Sequence, residues 1–415
     1  MEINLQRLLN NMENMSHIGR NQQGGIDRAL GSEAEAQCRI WLTHYWTEHL
    51  RLPIKTDSIA NLWVIQEGRE ELPPLVIGSH HDTVTNGGSL DGALGVLLAT
   101  EILETLLEQK LQCRHPIQVV SFTGEEPNPF QVSTLGSKVL SGRLNKEQLF
   151  RLINQEDGSR LQNCMLLIGG NLELSEEDLI LPGTVAAFIE CHIEQGRRLI
   201  DRKRSVASVS TIIGIYRENI QVIGEANHAG TTVMKDRHDA LLAAGELNLT
   251  YESILKSLNS SEVVGTIGYF SVYPNSVNII PGKVDMTLEL RTVSNEIKES
   301  IIHQLDQEVA TIEKSRGVRI VRTMNLDQPA IRMDATVKAA INRGMEQIGE
   351  EVIELISLAG HDAANLQRVT KAGMIFLPSI DGKSHCPEEN TDPQDIKKAG
   401  QVMLQAILTL DKELN

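Results

Sequence analysis

The chain has 415 residues, enough for two to three domains with a sizeable core. Apolar residues make up 41% and charged residues 23%, ordinary globular usage that speaks against long disordered tracts. Lys plus Arg is 39 against 55 Asp plus Glu, a net −16 that repels phosphate backbones and anionic lipid, so nucleic-acid and membrane partners are disfavoured.

No run approaches the roughly 18 uninterrupted apolar residues of a membrane span, and Met1-Glu2-Ile3-Asn4 lacks the basic and apolar regions of a signal peptide. The expectation is a soluble cytoplasmic protein. Cys38, Cys113, Cys164, Cys191 and Cys386 are odd in number and scattered, which is neither a disulfide framework nor a C-x-x-C metal clip.

In chain order, the apolar run 75–79 reads as a buried strand, followed by a Gly-rich loop at 86–88 and a helix over 94–107. Strands follow at 117–122 and 185–192, each ending in polar residues. This alternation predicts an α/β sheet whose functional loops gather at strand C-termini. From 212 the rhythm becomes strand 216–224, helix 237–258, strands 263–272 and 284–291, helix 297–315 and strand 318–324. That βαββαβ order is a split βαβ, ferredoxin-like unit. A helix over 335–348 and strands at 353–358 and 374–377 resume the first style. The expectation is a discontinuous α/β domain, 1–211 and 326–415, interrupted by an inserted domain at 212–325.

The chemistry is written at the strand ends. Gly78-Ser79-His80-His81-Asp82-Thr83 puts a histidine at a strand terminus with an acid two residues on, on the same face, where Asp82 can orient the His80 ring. Ser89-Leu90-Asp91-Gly92 places a carboxylate just before a helix. Glu125 and Glu126 follow the next strand, His192 ends another within Glu190-Cys191-His192-Ile193-Glu194-Gln195-Gly196, and His385 sits in Ser384-His385-Cys386-Pro387. Each alone has an ordinary explanation: a solvated turn, an N-cap, a surface acid pair. Together they form a ligand set for two divalent ions bridged by a carboxylate. Sulfur is not expected in it, because Cys191 faces away from His192 along a strand and thiolates favour closed structural sites.

The set G-S-H-H-D-T, L-D-G, G-E-E, H-I-E-Q-G, N-H-A-G-T-T and S-H-C-P-E-E resembles the aminoacylase/carboxypeptidase-type dimetal hydrolases. More narrowly it resembles their N-carbamoyl-L-amino acid hydrolase and allantoate amidohydrolase branch. The resemblance runs from about Gly24 to Glu389. It implies a dimetal catalytic domain interrupted by a smaller lid domain that also dimerises the protein, and two divalent cations (Mn²⁺, Zn²⁺ or Co²⁺) per subunit. His80, Asp91 and His192 would hold one ion and Asp91, Glu126 and His385 the other, with Asp91 bridging. Glu125 would be the general base and Asp82 the residue that orients His80.

In the inserted domain, the resemblance makes His228 the histidine that reaches a neighbouring subunit's site to stabilise an oxyanion. Arg217, Asn278 and Arg291 match grips for the substrate's carboxylate and amide, and Gln195, Gly360 and His361 complete the pocket. The implied activity is hydrolysis of the terminal ureido C–N bond of an N-carbamoyl-L-amino acid or allantoate, releasing ammonia and carbon dioxide. A dipeptidase or aminoacylase using the same metals, and a catalytically silent binding protein, are the alternatives. The chain departs from the pattern at His81, where an apolar residue is usual, at Pro127-Asn128-Pro129, at Val233 after the Thr-Thr pair, and at Cys386, where Asn is common.

Overall fold

The computed structural model describes residues 1–260 and 262–415, with the side chains of all of these except Glu177. The chain separates into two compact units, Met1–Ser210 with Arg332–Asn415, and Thr211–Ile331.

The first unit is built on a large mixed sheet. Its strands run in the order Ile54–Thr56, Leu62–Gln66, Ile117–Phe122, Leu75–His80, Ala187–Ile193, Ala372–Leu377 and Ala207–Ile212. The central four are parallel to one another, and the flanking strands are antiparallel to them. Parallel strands carry cover on both faces, which is why these segments are nearly continuous in Val, Ile, Leu and Phe. The helix Ala93–Glu108 is buried over almost its whole circumference, the signature of a helix packed inside a core. Ala335–Gln347 and Pro393–Glu413 pack beside it in the same hydrophobic cluster. Pro393–Glu413 lies outside the elements read from sequence, although Asp392 caps it and Pro393 opens it.

The second unit has a four-stranded antiparallel sheet in the order Arg319–Gln328, Gly214–Ile223, Lys283–Thr292, Val263–Tyr273. Strict alternation puts Tyr216, Ile220, Val222, Val284, Met286, Leu288 and Leu290 into a core with the helices Ala240–Ser257 and Asn295–Arg316. Arg217, Asn219, Gln221, Asp285, Thr287, Glu289 and Arg291 stand on the opposite, polar face. Two limits differ from the sequence reading for physical reasons. The helix expected from 237 starts at Ala240 because the Asp239 carboxylate caps the amides of Leu241 and Leu242. The strand expected to stop at 324 runs on to Gln328, because a register shift between Met324 and Leu326 breaks the two-residue period. Among the described residues, no helix is long and apolar enough to cross a membrane.

Candidate functional site

Five candidate ligands converge at the carboxyl edge of the four parallel strands, where loops of an α/β sheet meet. His80 is the last residue of Leu75–His80, His192 the penultimate residue of Ala187–Ile193, Glu126 lies just past Ile117–Phe122, and His385 follows Ala372–Leu377. Asp91 sits in the turn entering the helix Ala93–Glu108. Gly92 closes that turn at φ 63°, and a Cβ there would overlap the His80 imidazole, so only glycine lets the turn approach the histidine.

Asp91 is the geometric centre. Its Oδ1 lies 3.0 Å from His192 Nε2 and 3.7 Å from His80 Nε2. Its Oδ2 lies 3.1 Å from His385 Nε2, which in turn is 3.4 Å from Glu126 Oε1. Two triads result, His80–Asp91–His192 and Asp91–Glu126–His385, with the ligand atoms of each within 4.8 Å of one another. Glu125 belongs to neither; its Oε2 lies 3.7 Å from His80 Nε2. The His385 side chain is 46% exposed while His80 and His192 are buried, so the second triad is the open side of the site.

The electrostatics fit a cation centre. Burial holds the Glu125 carboxyl well above the usual carboxylate range. Burial, reinforced by Asp91, pushes Glu126 up to about 7. Burial works against ionisation of Asp91 too, but the surrounding imidazoles outweigh it and hold its carboxyl well below the usual range. His80 Nε2 and Glu126 Oε1 are buried with no hydrogen-bond partner among the described residues. Buried polar atoms are ordinarily paired, so two unpaired ones, one in each triad, are what a metal ligand set leaves in the protein alone. The donors are nitrogen and oxygen only, a set suited to Mn²⁺, Zn²⁺ or Co²⁺. Cys191 is buried in the core, and neither triad includes a cysteine.

Supporting groups fix the ligands. His80 Nδ1 lies 3.1 Å from the Asp82 backbone carbonyl and 3.5 Å from its carboxylate, so Asp82 reaches the ring chiefly through its main chain. The Asp82 carboxylate accepts instead from the backbone N–H groups of Glu125 and Glu126, at 3.2 and 3.0 Å, and holds that turn. His192 Nδ1 meets the Ile193 carbonyl at 2.9 Å, which directs Nε2 to Asp91. Gln195 Nε2 donates to Asp91 Oδ2 at 2.7 Å. Gln195 and His385 both have left-handed backbone, φ 56° and 57°, a conformation that costs a non-glycine residue about 1–2 kcal/mol.

His361 is buried, edge-on to the His192 ring at 4.5 Å between centroids, with its Nε2 2.8 Å from Ser357 Oγ. It therefore buttresses a candidate ligand, while its neighbour Gly360 is exposed. His81, in an apolar position of the resembled pattern, turns away from the site. Its Nδ1 meets Ser121 Oγ at 2.6 Å and its Nε2 lies 3.4 Å from Glu35, which is salt-bridged to Arg39. In the loop after Glu126, Asn128 donates to the carbonyls of Glu126 and Val132, and Phe130 is buried in a separate apolar cluster.

Sequence reasoning missed Glu389. Its Oε1 accepts from the N–H groups of Leu90 and Asp91 at 2.8 and 3.0 Å. Its Oε2 accepts from Ser384 Oγ at 2.9 Å and from the His385 N–H at 3.3 Å. One buried carboxylate thus ties the Asp91 turn to the His385 loop. Glu190 was missed as well: it accepts from Ser79 Oγ at 2.8 Å and from the Ala363 N–H at 2.9 Å. An acidic residue buried within the strand Ala187–Ile193, two residues before His192, was the available signal for it.

The second unit carries the other candidates. His228 is exposed, and its Nδ1 accepts from the N–H groups of Gly230 and Thr231 at 3.0 and 3.2 Å. That leaves the neutral ring's proton on Nε2, a hydrogen-bond donor. Ile279 pairs with His228, which brings the exposed Asn278 beside it. Arg217 and Arg291 stand on the polar face of the sheet, both bound to Glu289.

The chain is similar to known proteins over most of its length. The model of peptidase family M20/M25/M40 matches residues 76–409. The chain is 32% identical over 406 residues to an N-carbamoyl-L-amino acid amidohydrolase of Geobacillus stearothermophilus, covering 98% of each chain. It is 30% identical over 420 residues to allantoate deiminase 1 of Glycine max, covering 93% of this chain and 86% of that one. A crystal structure of an amidase of the hydantoinase/carbamoylase family from Burkholderia multivorans superimposes with a TM-score of 0.90 at 28% identity, over 99% of this chain and 98% of that one.

Proposed function

The chain belongs to peptidase family M20/M25/M40, and from that premise we propose that it is an amidohydrolase cleaving the terminal ureido C–N bond of an N-carbamoyl-L-amino acid or of allantoate. The observation that carries the proposal is the convergence of His80, Asp91, Glu126, His192 and His385 into two triads sharing Asp91, with Glu125 alongside and outside both. Relatives named for carbamoyl amino acids and for allantoate support the substrate class.

We assign one divalent cation to His80, Asp91 and His192 and a second to Asp91, Glu126 and His385. Such a pair supplies Lewis-acid activation of the substrate carbonyl and of a water. Glu125 takes the proton of the attacking water and returns it to the leaving nitrogen. His228, reaching from a neighbouring subunit with its proton on Nε2, donates to the oxyanion, a contribution of about 3–4 kcal/mol for one well-placed donor. Arg217, Arg291 and Asn278 grip the substrate's carboxylate and amide, since guanidinium groups bind carboxylates by paired hydrogen bonds. Gln195 steadies Asp91. The net result converts the ureido acid and water into amine, ammonia and carbon dioxide.

The inserted unit acts in this proposal as a lid and as the dimer contact. Val263–Tyr273 is an edge strand of its sheet that exposes Val264, Tyr269 and Tyr273, the kind of edge that pairs with a second copy. A solution mass of one chain by light scattering would count against that assembly.

The activity is tested with N-carbamoyl-L-amino acids, allantoate and dipeptides side by side, before and after treatment with a chelator. The expected result is turnover of ureido acids, abolished by chelation and restored by Mn²⁺, Zn²⁺ or Co²⁺; turnover of dipeptides alone would overturn the assignment. Glu389→Gln weakens cation binding about 10–100-fold, the usual cost of removing a group that orients metal ligands. Titration calorimetry on the ion-free protein measures this, and an unchanged affinity would show that Glu389 does not position Asp91 and His385.

A further inference from the structure

Arg217 lies directly across the strand pair from Glu289, and Arg291 follows two residues later on the same face. Arg217 Nε donates to Glu289 Oε2 at 3.1 Å, and its Nη2 binds the same oxygen. Arg291 Nε donates to Oε1 at 2.8 Å. Each oxygen of one carboxylate is thus engaged by a different guanidinium. Tyr251 Oη, reaching from the helix Ala240–Ser257, donates to the Glu289 carbonyl at 2.8 Å and pins the backbone at that point. Burial works against ionisation of Glu289, but the two guanidiniums keep its carboxyl below the usual range. The arginine side chains are 43% and 32% exposed, so the cluster is bound together and still faces outward.

The residues in register around this cluster are uncharged. Thr266 and Val264 oppose Glu289 and Arg291 on the edge strand, and Leu326 opposes Arg217 on the other side. Next along the face, Thr287 and Asn219 are hydrogen-bonded to each other at 3.0 Å. Glu289 therefore sets one negative charge directly beside the two guanidiniums. A second carboxylate on a ligand held there is repelled by that charge, whereas a ligand bearing a single carboxylate brings none to be repelled.

We propose that Glu289 is a positioning and specificity residue that holds Arg217 and Arg291 side by side and sets the charge of the grip, so that substrates with one carboxylate are preferred over dicarboxylates. The inference rests on the proposed role of the two arginines as the carboxylate grip. Its test compares N-carbamoyl-L-asparagine with N-carbamoyl-L-aspartate, which are nearly isosteric and differ by one charge, on the full-length, cation-loaded enzyme.

The unmodified enzyme favours the asparagine compound. In Glu289→Gln the aspartate-to-asparagine ratio of kcat/KM rises about five- to tenfold, as expected for one charge a few ångströms away at a half-exposed site. The change falls on KM, and Glu289→Asp restores the original ratio. An unchanged ratio in Glu289→Gln, or an equal loss on both compounds, would overturn the inference. Arg291→Ala separates it from the reading beneath it. If that variant leaves KM for both compounds unaltered, or if the unmodified enzyme cleaves neither, the carboxylate grip itself is wrong and the inference falls with it.

Discussion

Glu125→Gln will lower kcat by about 10²–10⁴-fold, the range that one positioned proton-transfer group contributes, while the cation content of the protein stays that of the parent. The two halves of this expectation come from different features of the site. Glu125 is outside both triads, so a neutral amide in its place removes no ligand from either. Its carboxylate nonetheless lies 3.7 Å from His80 Nε2, within the same buried cluster. Burial raises its proton affinity, which suits a group that must take a proton from water and release it to a departing nitrogen. Glutamine keeps the shape and most of the packing but cannot accept that proton. Steady-state rates together with elemental analysis of the purified variant check both halves, and near-normal turnover would show that another group is the base.

Asp91→Ala should have the larger effect, removing measurable turnover and emptying both cation sites together. Asp91 is the one residue common to the two triads, with His80 and His192 on one oxygen and His385 on the other. A substitution at His385 or at His192 takes a ligand from one triad, whereas loss of Asp91 takes one from each. Lewis-acid activation is worth several kcal/mol of barrier, so its loss corresponds to a rate decrease of about 10³-fold or more. Elemental analysis of Asp91→Ala beside His385→Ala distinguishes a shared ligand from two separate ones. Full cation retention in Asp91→Ala would refute the shared role.

Part of the candidate site was legible in the sequence because His80, His192 and the Glu125-Glu126 pair follow apolar strands, and strand ends in a parallel sheet share one edge. Which of the two glutamates is a ligand, and that Asp91 is more than a helix cap, came from the resemblance of the motifs. The alternation of Gly214–Ile223 and Lys283–Thr292 likewise gave the inserted sheet, since every second residue enters its core. What was not legible depends on contacts between residues far apart in the chain. Glu389 reads as one more acid in a polar loop until the fold lays it under Asp91, 298 residues away. Glu35 and Arg39, paired on the helix Glu33–His44, are buried by the fold, and Glu35 lies against His81. His361 is a pocket residue by its resembled motif, and its packing against His192 appears only in the fold. Local pattern carries which groups face inward; it does not carry which of them meet.

The account is tested most directly by anomalous diffraction from crystals of the protein grown with Mn²⁺, recorded at the manganese edge. Two peaks per chain are predicted, one bounded by His80, Asp91 and His192 and the other by Asp91, Glu126 and His385, with the Asp91 carboxylate between them. A map with no peak at these side chains, or with a cation in only one of the two triads, would contradict it.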